Sequence, residues 1–179
     1  DAFVSRIDPT GKQVWLHQLG SVGNDALTAV VANPAGGVYA TGWARGPVAG
    51  QVQMGGQDAL LAAYRADGTR QFVRQVGTSS ADSFESLVVA DSKIYVIGST
   101  RGAFPGQTLA GAQDVFLMQL SADGATAWLR ELGTPLVDRG TAITLADTNL
   151  YVGGTTFGSF DPDTTAMGID AFLHQFPKE

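Results

Sequence analysis

Short apolar runs alternate with polar stretches along the chain, and one run recurs three times. Its copies are Gly37-Val38-Tyr39-Ala40-Thr41-Gly42, then Ile94-Tyr95-Val96-Ile97-Gly98-Ser99-Thr100, then Leu150-Tyr151-Val152-Gly153-Gly154-Thr155-Thr156. Each copy is short, rich in β-branched and aromatic residues, and apolar at successive positions. A run of this kind predicts a β-strand that is covered on both faces. The three copies therefore predict sheets stacked on one another.

The recurrence extends beyond this motif to the whole chain. The markers Asp1, Asp58, Asp114 and Asp170 are separated by 57, 56 and 56 residues, and Tyr39, Tyr95 and Tyr151 keep the same period. Such self-similarity is typical of repeat architectures. We interpret residues 1–179 as a single repeat domain with repeats at 1–57, 58–113 and 114–169 and the start of a fourth at 170–179.

Four strands are predicted in each repeat, without helical periodicity anywhere, so the chain is expected to be all-β. Asp-rich and glycine-containing turns, such as Asp8-Pro9-Thr10-Gly11, join the first two strands as a hairpin. The first strand is predicted over 2–7, 59–64, 115–120 and 171–176, the second over 13–19, 70–76 and 126–132, the third over 26–32, 84–90 and 141–146, and the fourth over the recurring motif.

Four antiparallel strands per repeat are typical of a β-propeller blade. The second strand carries charges, such as Arg70 and Arg74, that suit an outer edge, whereas the third is the most apolar and is expected to be innermost and covered on both faces. A β-solenoid is the alternative, although its rungs are usually shorter than this repeat. The core is expected to include Val30, Val38, Leu87, Val88, Val96, Ile143, Leu145 and Val152.

Several of these motifs resemble a known family. Asp1-Ala2-Phe3-Val4, the following Asp-x-x-Gly turn, the Leu-Gly that closes the second strand and Val38-Tyr39-Ala40-Thr41-Gly42 are similar to the bacterial SBBP (beta-propeller) repeats. The resemblance covers the whole chain three times over. It implies a propeller in an exported protein, extracellular or attached to the bacterial cell surface, and it does not by itself imply a catalytic activity.

The order of strands predicts an incomplete set of blades. The chain opens with the two outer strands of one blade, continues through two complete blades and closes with three strands of another. Three repeats are too few to close a ring, because propellers typically have four to eight blades. We therefore expect the open edges to pair with further copies of the chain or with further repeats of a longer protein.

Composition narrows the classes of partner. The net charge is −6, which argues against nucleic acid and anionic membranes. No apolar run approaches the ~20 residues of a membrane-spanning helix, so no membrane insertion is expected. The chain has no Cys and therefore no disulfide or thiolate metal site. No cofactor is expected, and the remaining partners are proteins, including further copies of the chain, and glycans.

Three aspartates just before the third strand of each repeat are the candidate metal ligands: Asp25, Asp82 and Asp138. A ring of carboxylates facing a channel could bind a cation, which needs several converging oxygen atoms. The alternative, which the turn preferences of Asp favour, is that each one caps backbone N–H groups of a turn. No catalytic constellation is apparent, since there is no nucleophile motif and no residue pattern that singles out a histidine.

The long Gly/Pro loops at 44–57, 101–113 and 157–169 are the least similar parts of the repeats, and variable loops on a rigid scaffold are where binding usually resides. We expect one face of the propeller to present Trp43, Arg45, Arg101, Phe104, Phe157 and Phe160. The sequence therefore favours a non-catalytic structural or interaction module. The alternatives are a carbohydrate-binding, lectin-like propeller and a hydrolase with paired channel carboxylates.

Overall fold

The computed structural model describes residues 1–161, 163, 165 and 168–178, and these form thirteen β-strands. Pro162, in the third long loop, lies outside the described residues. No helix within the described ranges is long and apolar enough to cross a bilayer. The strands are β1 (Ala2–Ile7), β2 (Gln13–Leu19), β3 (Asp25–Ala32), β4 (Val38–Ala44), β5 (Asp58–Tyr64), β6 (Arg70–Val76), β7 (Asp82–Ala90), β8 (Lys93–Thr100), β9 (Asp114–Ser121), β10 (Thr126–Leu132), β11 (Asp138–Ala146), β12 (Asn149–Thr156) and β13 (Asp170–Pro177).

The strands form four antiparallel sheets in chain order. The hairpin sheet is β1-β2, the first complete sheet is β3-β4-β5-β6, the second complete sheet is β7-β8-β9-β10, and the last sheet is β11-β12-β13. Every hydrogen-bonded neighbour is also a sequence neighbour, joined either by a short turn or by one of the long loops. The expected all-β class and the four-stranded antiparallel sheets are confirmed.

Successive sheets pack face to face through three apolar clusters. The hairpin sheet contacts the first complete sheet through Val4 and Leu60. Leu61 of that sheet shares a cluster with Phe116 of the second complete sheet, and Leu117 of the second shares a cluster with Val152 of the last. Side chains alternate between the two faces of a strand, so each complete sheet contributes to two clusters and is sandwiched between neighbours.

The edge strands β3, β7 and β11 lie next to one another from sheet to sheet. Each is bulged, because an extra residue stands opposite its partner strand at Thr28, Glu85 and Thr141. A bulge increases the local twist of a strand. The Thr28 hydroxyl also donates a hydrogen bond to the Phe84 carbonyl of the next sheet at 2.8 Å, so the bulge of β3 joins the first complete sheet to the second.

The deepest burial lies in the middle strands, and this corrects the expected core. Every residue of β5 is buried, whereas residues of β3 alternate between partly buried and exposed. Val96, Leu87, Ile143 and Val152 are buried as expected, whereas Val38, Val88 and Leu145 are only partly buried.

Val30 contradicts the expectation, since it is 61% exposed. It lies on the edge strand β3, on the face that the hairpin sheet covers. The hairpin sheet has only two strands, which pack against Leu60, Tyr64 and Val73 and reach β3 only as far as Leu27. The part of this face near Val30 therefore stays open to solvent.

The two outer faces of the stack are apolar and open. Phe3 is 67% exposed, although the corresponding residues of the complete sheets, Leu60 and Phe116, are fully buried. Leu173 is 74% exposed, although its counterparts Leu61 and Leu117 are fully buried. Equivalent side chains therefore differ only in whether a neighbouring sheet covers them.

Candidate functional site

The long loops and the short loops between sheets form one continuous rim at one end of the stack. The first residue after β4, β8 and β12 donates its backbone N–H to a carbonyl of the short loop that precedes its own sheet. The pairs are Arg45 with Asn24, Arg101 with Ala81 and Phe157 with Val137, each at 3.0 Å. The last residue of the first two long loops, Gln57 or Gln113, accepts a backbone hydrogen bond from the Asp that opens the next sheet. We call these loops the loop rim. It comprises 20–24, 45–57, 77–81, 101–113, 133–137 and the described residues of 157–169.

Arginine–glutamine pairs recur on the loop rim. The guanidinium Nε of Arg45 donates to Gln57 Oε1 at 3.2 Å, and Arg101 Nε donates to Gln113 Oε1 at 3.1 Å. Arg45 also lies over the ring of Trp43, 5.4 Å from its centroid, a geometry that favours a cation–π contact. Both arginines remain exposed. The rim thus presents oriented cations that keep donors free for a partner.

The third repeat replaces this pair with apolar side chains. Phe157 stands where Arg45 and Arg101 stand, and it is 40% exposed. Ile169 stands where the glutamines stand and is exposed as well. The same backbone position therefore presents a cation in two repeats and an aromatic ring in the third.

Phe104 and Phe160 do not belong to an exposed face, which corrects the expected set. Phe104 is only 5% exposed and packs on Phe116, with ring centroids 5.0 Å apart. Phe160 is partly buried and packs on Phe172 at 5.1 Å. Their counterpart in the first long loop, Val48, is fully buried. These side chains anchor the loops to the sheets because their burial removes apolar surface from water.

The candidate metal ligands cap turns. Asp25, Asp82 and Asp138 are buried, and each accepts the backbone N–H of the residue four positions earlier at 2.6–2.7 Å. Each also accepts the hydroxyl of that same Ser or Thr. The turn-cap interpretation agrees with these bonds. Within the described residues, no group of three or more acidic or histidine side chains could hold a metal ion.

A second set of aspartates lies beside the first. Asp58 accepts the N–H groups of Met54 and Gly55, and Asp114 binds its own loop in the same way. Asp58 and Asp82 flank Gly77, where an added Cβ would come within 3.0 Å of both carboxylates. The backbone amides of the loops hold these carboxylates inside the protein. The arrangement is therefore that of aspartates that cap a turn, whereas a hydrolase needs two carboxylates that face the substrate.

Burial alters the acidity of these carboxyl groups. It raises the pKa of Asp82 and of Asp114 above the usual value, although their hydrogen bonds to Thr78 and to Ala110 oppose the shift. Desolvation penalises the charged form of a carboxyl group. The turns at the base of the rim therefore hold carboxylates whose charge is costly to bury and which depend on the N–H groups around them.

One position ties each outer strand to the long loop. In the first complete sheet, Gln75 Oε1 accepts the N–H of Val48 at 3.0 Å and its Nε2 donates to Gly46 O and to Asp58 Oδ2, each at 3.1 Å. The second complete sheet has Glu131 there, and its Oε1 accepts the N–H of Phe104 at 2.6 Å. This contact, which the sequence reasoning missed, fixes the loop against the sheet.

No protein-family model and no curated protein matches this chain.

Trp15 on β2 and Phe72 on β6 stand at equivalent positions of the second strand of their repeats. Trp15 stacks on Tyr64 of the next sheet with centroids 6.1 Å apart, and its Nε1 donates to Ala66 O at 3.1 Å. Phe72 lies against Gly124 of the following sheet. Both residues fill the space between sheets and form no open stacking platform.

The geometry of the rim suits recognition. Its backbone is fixed by hydrogen bonds between loops, and its exposed side chains include Arg45, Arg101 and Phe157 together with large apolar residues such as Val22, Val52 and Ile169. Arginine and aromatic residues are the types enriched at the centres of protein interfaces. What the arrangement can do is hold a partner that has acidic and apolar groups.

Proposed function

We propose that this chain is a non-catalytic interaction module of β-propeller blades that binds a protein through the loop rim. The single observation that carries the proposal is the hydrogen-bonded rim, on which Arg45, Arg101 and Phe157 occupy one equivalent position. Side chains that differ from repeat to repeat on a fixed backbone are the usual design of a recognition surface.

The propeller arrangement is part of the proposal. Its support is that each complete sheet is covered on both faces by its neighbours and that β3, β7 and β11 follow one another along one edge of the stack. The resemblance to exported bacterial repeat proteins favours an extracellular or cell-surface location for such a propeller.

The chemistry of the rim indicates the kind of partner. Arg45 and Arg101 are exposed and held by glutamines, so they can bind carboxylates with little loss of side-chain freedom. Phe157 adds apolar area beside them. A protein surface that combines acidic and apolar residues fits this pattern.

The test compares two triple variants as bait for cell-envelope proteins. The rim variant carries Arg45→Ala, Arg101→Ala and Phe157→Ala. The control carries Lys12→Ala, Arg65→Ala and Val14→Ala, which remove exposed side chains of the same classes away from the rim. We expect proteins retained by the wild type and by the control to be lost from the rim variant in quantitative mass spectrometry. Identical retention by all three baits, or binding of the wild type to a glycan array without such a protein, would overturn the proposal.

A further inference from the structure

We propose that the cavity between the second complete sheet and the last sheet is a binding site for a small neutral molecule with several hydroxyl groups, such as a single saccharide residue. The cavity has a volume of about 300 Å³, at the lower end of the range for ligand pockets. Its lining comes from β7, β8, β11 and the end of the second long loop. The inference goes beyond the protein binding that we propose for the loop rim.

The lining of this cavity is polar and comes from both sheets. The second complete sheet and its long loop contribute hydroxyl, carboxyl and amide groups, from Ser83, Glu85, Ser99 and Gln113. Of these residues, Glu85 is partly buried and the other three are only 6–8% exposed. The last sheet contributes the residues at 139–141, of which Arg139 and Thr141 are exposed. The cavity therefore joins a buried polar wall to an accessible one.

Hydrogen bonds fix the buried wall and leave groups that can bind a ligand. Ser83 Oγ donates to Glu85 Oε1 at 2.7 Å, so the carboxylate is held in place and its Oε2 can accept from a ligand. Ser99 Oγ accepts the backbone N–H of Gly140 at 3.2 Å, so its own O–H can donate. Gln113 Oε1 accepts a hydrogen bond from the loop rim, and its amide nitrogen can donate to a ligand.

Two of the β-bulges contribute their extra residues to the cavity. These residues are Glu85 of β7 and Thr141 of β11. A bulge re-aims a side chain and is over-represented next to active sites. Gly140, beside the second bulge, lets the backbone of β11 come close, because a Cβ there would lie within 3 Å of the Ile97 and Val115 side chains. Close packing at this point gives the cavity a rigid wall.

The equivalent junction between the first and second complete sheets has a different lining. At three positions the second junction has a more polar side chain, with Ser83 in place of Ala26, Glu85 in place of Thr28 and Ser99 in place of Trp43. The last of these changes also replaces a large ring by a small hydroxyl group. The first junction packs without such polar groups, so packing of the sheets does not require them. Three differences that meet at one cavity therefore indicate a function for the polar space.

The mixture of polar groups favours a neutral ligand. The cavity has one carboxylate, Glu85, and one guanidinium, Arg139, so a charged ligand would meet one group of like charge. A hydroxyl group both donates and accepts, and it can therefore pair with the carboxylate, the serine hydroxyls and the Gln113 amide alike. A saccharide residue holds several hydroxyl groups on a rigid ring, so it loses little conformational freedom when it binds.

Ligand-observed nuclear magnetic resonance tests whether the site takes this class of molecule. The protein is mixed with hexoses, pentoses and N-acetylhexosamines at millimolar concentration, and with butylamine and acetate as charged probes. We expect saturation transfer from the protein to at least one saccharide and to neither charged probe. Absence of transfer to every saccharide, or transfer to a charged probe in place of a saccharide, would overturn the proposal.

Two variants locate the bound saccharide in this cavity. Glu85→Gln keeps the shape and removes the charge, so the affinity should fall about tenfold or more, because hydrogen bonds to charged groups contribute more than those between neutral groups. Ser99→Trp puts the ring of the first repeat into the cavity and should abolish binding. Circular dichroism verifies that both variants fold.

The matched control is Asp147→Asn, which removes an exposed carboxylate from the turn at the far end of β11. The φ angle of Asp147 is 52°, in the left-handed region that asparagine tolerates. This variant should bind the saccharide as the wild type does. Unchanged affinity of Glu85→Gln, or an equal loss of affinity in the control, would overturn the proposal.

The two proposals for this chain fail separately. Glu85→Gln leaves Arg45, Arg101 and Phe157 of the loop rim in place, so it should still retain a protein partner. Retention of a partner by a wild type that binds no saccharide would overturn the cavity proposal alone. Saccharide binding by a wild type that retains no protein would overturn the function proposed for the loop rim alone.

Discussion

At the scale of single residues, Glu131 is the side chain whose surroundings fit it least. Its Oε2 is buried without a hydrogen-bond partner. At the corresponding place in the first complete sheet, Gln75 has an amide nitrogen that donates to a carbonyl and to Asp58. Burial, and then the nearby charges of Asp114 and Asp82, raise the pKa of Glu131 above the usual value. An acceptor therefore stands where the repeat elsewhere has a donor.

The first prediction is that Glu131→Gln stabilises the protein at neutral pH. The amide can donate where Oε2 has no partner, and leaving a buried polar group unpaired costs about 1–3 kcal/mol. The folded protein holds the proton of Glu131 more tightly than the unfolded chain does, so stability from this group is full below the unfolded pKa of 4.5 and is lost as pH rises through the higher folded value. Urea unfolding at several pH values should show the gain shrinking toward pH 4.5.

The matched control for this prediction is the reverse change in the first complete sheet. Gln75→Glu places a carboxylate near Asp58 and removes the donor, so it should destabilise the protein at neutral pH and less so in acid. An advantage of Glu131→Gln that is the same at all pH values would contradict the account of the buried carboxylate.

The second prediction separates two phenylalanines of the long loops. Phe104→Ala should destabilise the protein by about 3–5 kcal/mol, because it empties a buried site between rings. Phe157→Ala should destabilise the protein clearly less, since its side chain is already 40% exposed and its truncation therefore loses less buried apolar area. Equal effects in thermal unfolding would show that the two loops are anchored differently from this description.

The sequence could not separate these two residues by type, because both are aromatic residues in Gly-rich loops. The signal that separates them is the residue at the same place in the other repeats. Phe104 corresponds to Val48, which is also apolar, whereas Phe157 corresponds to Arg45 and Arg101. A position that is apolar in every repeat indicates packing, and one that changes between charge and aromatic ring indicates a surface.

At the scale of strands, the glycine of the recurring motif is required by the bulge opposite it. Gly42, Gly98 and Gly154 face the residue that precedes the extra residue of β3, β7 and β11. A Cβ on any of them would lie within 2 Å of a backbone carbonyl oxygen of that strand. The glycine at this position of the motif is therefore fixed by close backbone approach and not by a turn.

The third prediction concerns this approach. Gly98→Ala should destabilise the protein by at least about 1–3 kcal/mol, because the added methyl group would meet Ser83 O at 1.9 Å. The control is Gly56→Ala, where a Cβ meets nothing within 4 Å, so stability should stay the same or rise by up to about 1 kcal/mol. Denaturant titrations that rank the two variants in the opposite order would contradict the bulge geometry.

The strands themselves could be predicted well from sequence, because hairpin turns such as the one at Asp8 and the alternation within β2 are local signals. Burial could not be predicted as well. The apolar composition of β3 suggested a strand covered on both faces, yet Val30 is exposed because cover depends on which sheet lies opposite. That is a property of the stack and leaves no mark on the strand.

At the scale of the whole molecule, four sheets stack in chain order and leave an apolar face open at each end. The order of partial and complete sheets follows from the repeat period alone, since each repeat ends in the middle of a sheet. The rotation from one sheet to the next does not follow from it, because it depends on the packing of Phe116, Leu61 and their neighbours between sheets. The loop rim likewise depends on hydrogen bonds between loops of different repeats, which carry no local sequence pattern.

An experimental structure of the 179-residue chain in solution conditions, by crystallography or electron cryomicroscopy, tests the central claim most directly. The account predicts sheets turned successively about one axis, with β3, β7 and β11 nearest to it and the loop rim on one side. Sheets stacked along a straight solenoid without a common axis, or folded into a two-layer sandwich, would contradict it.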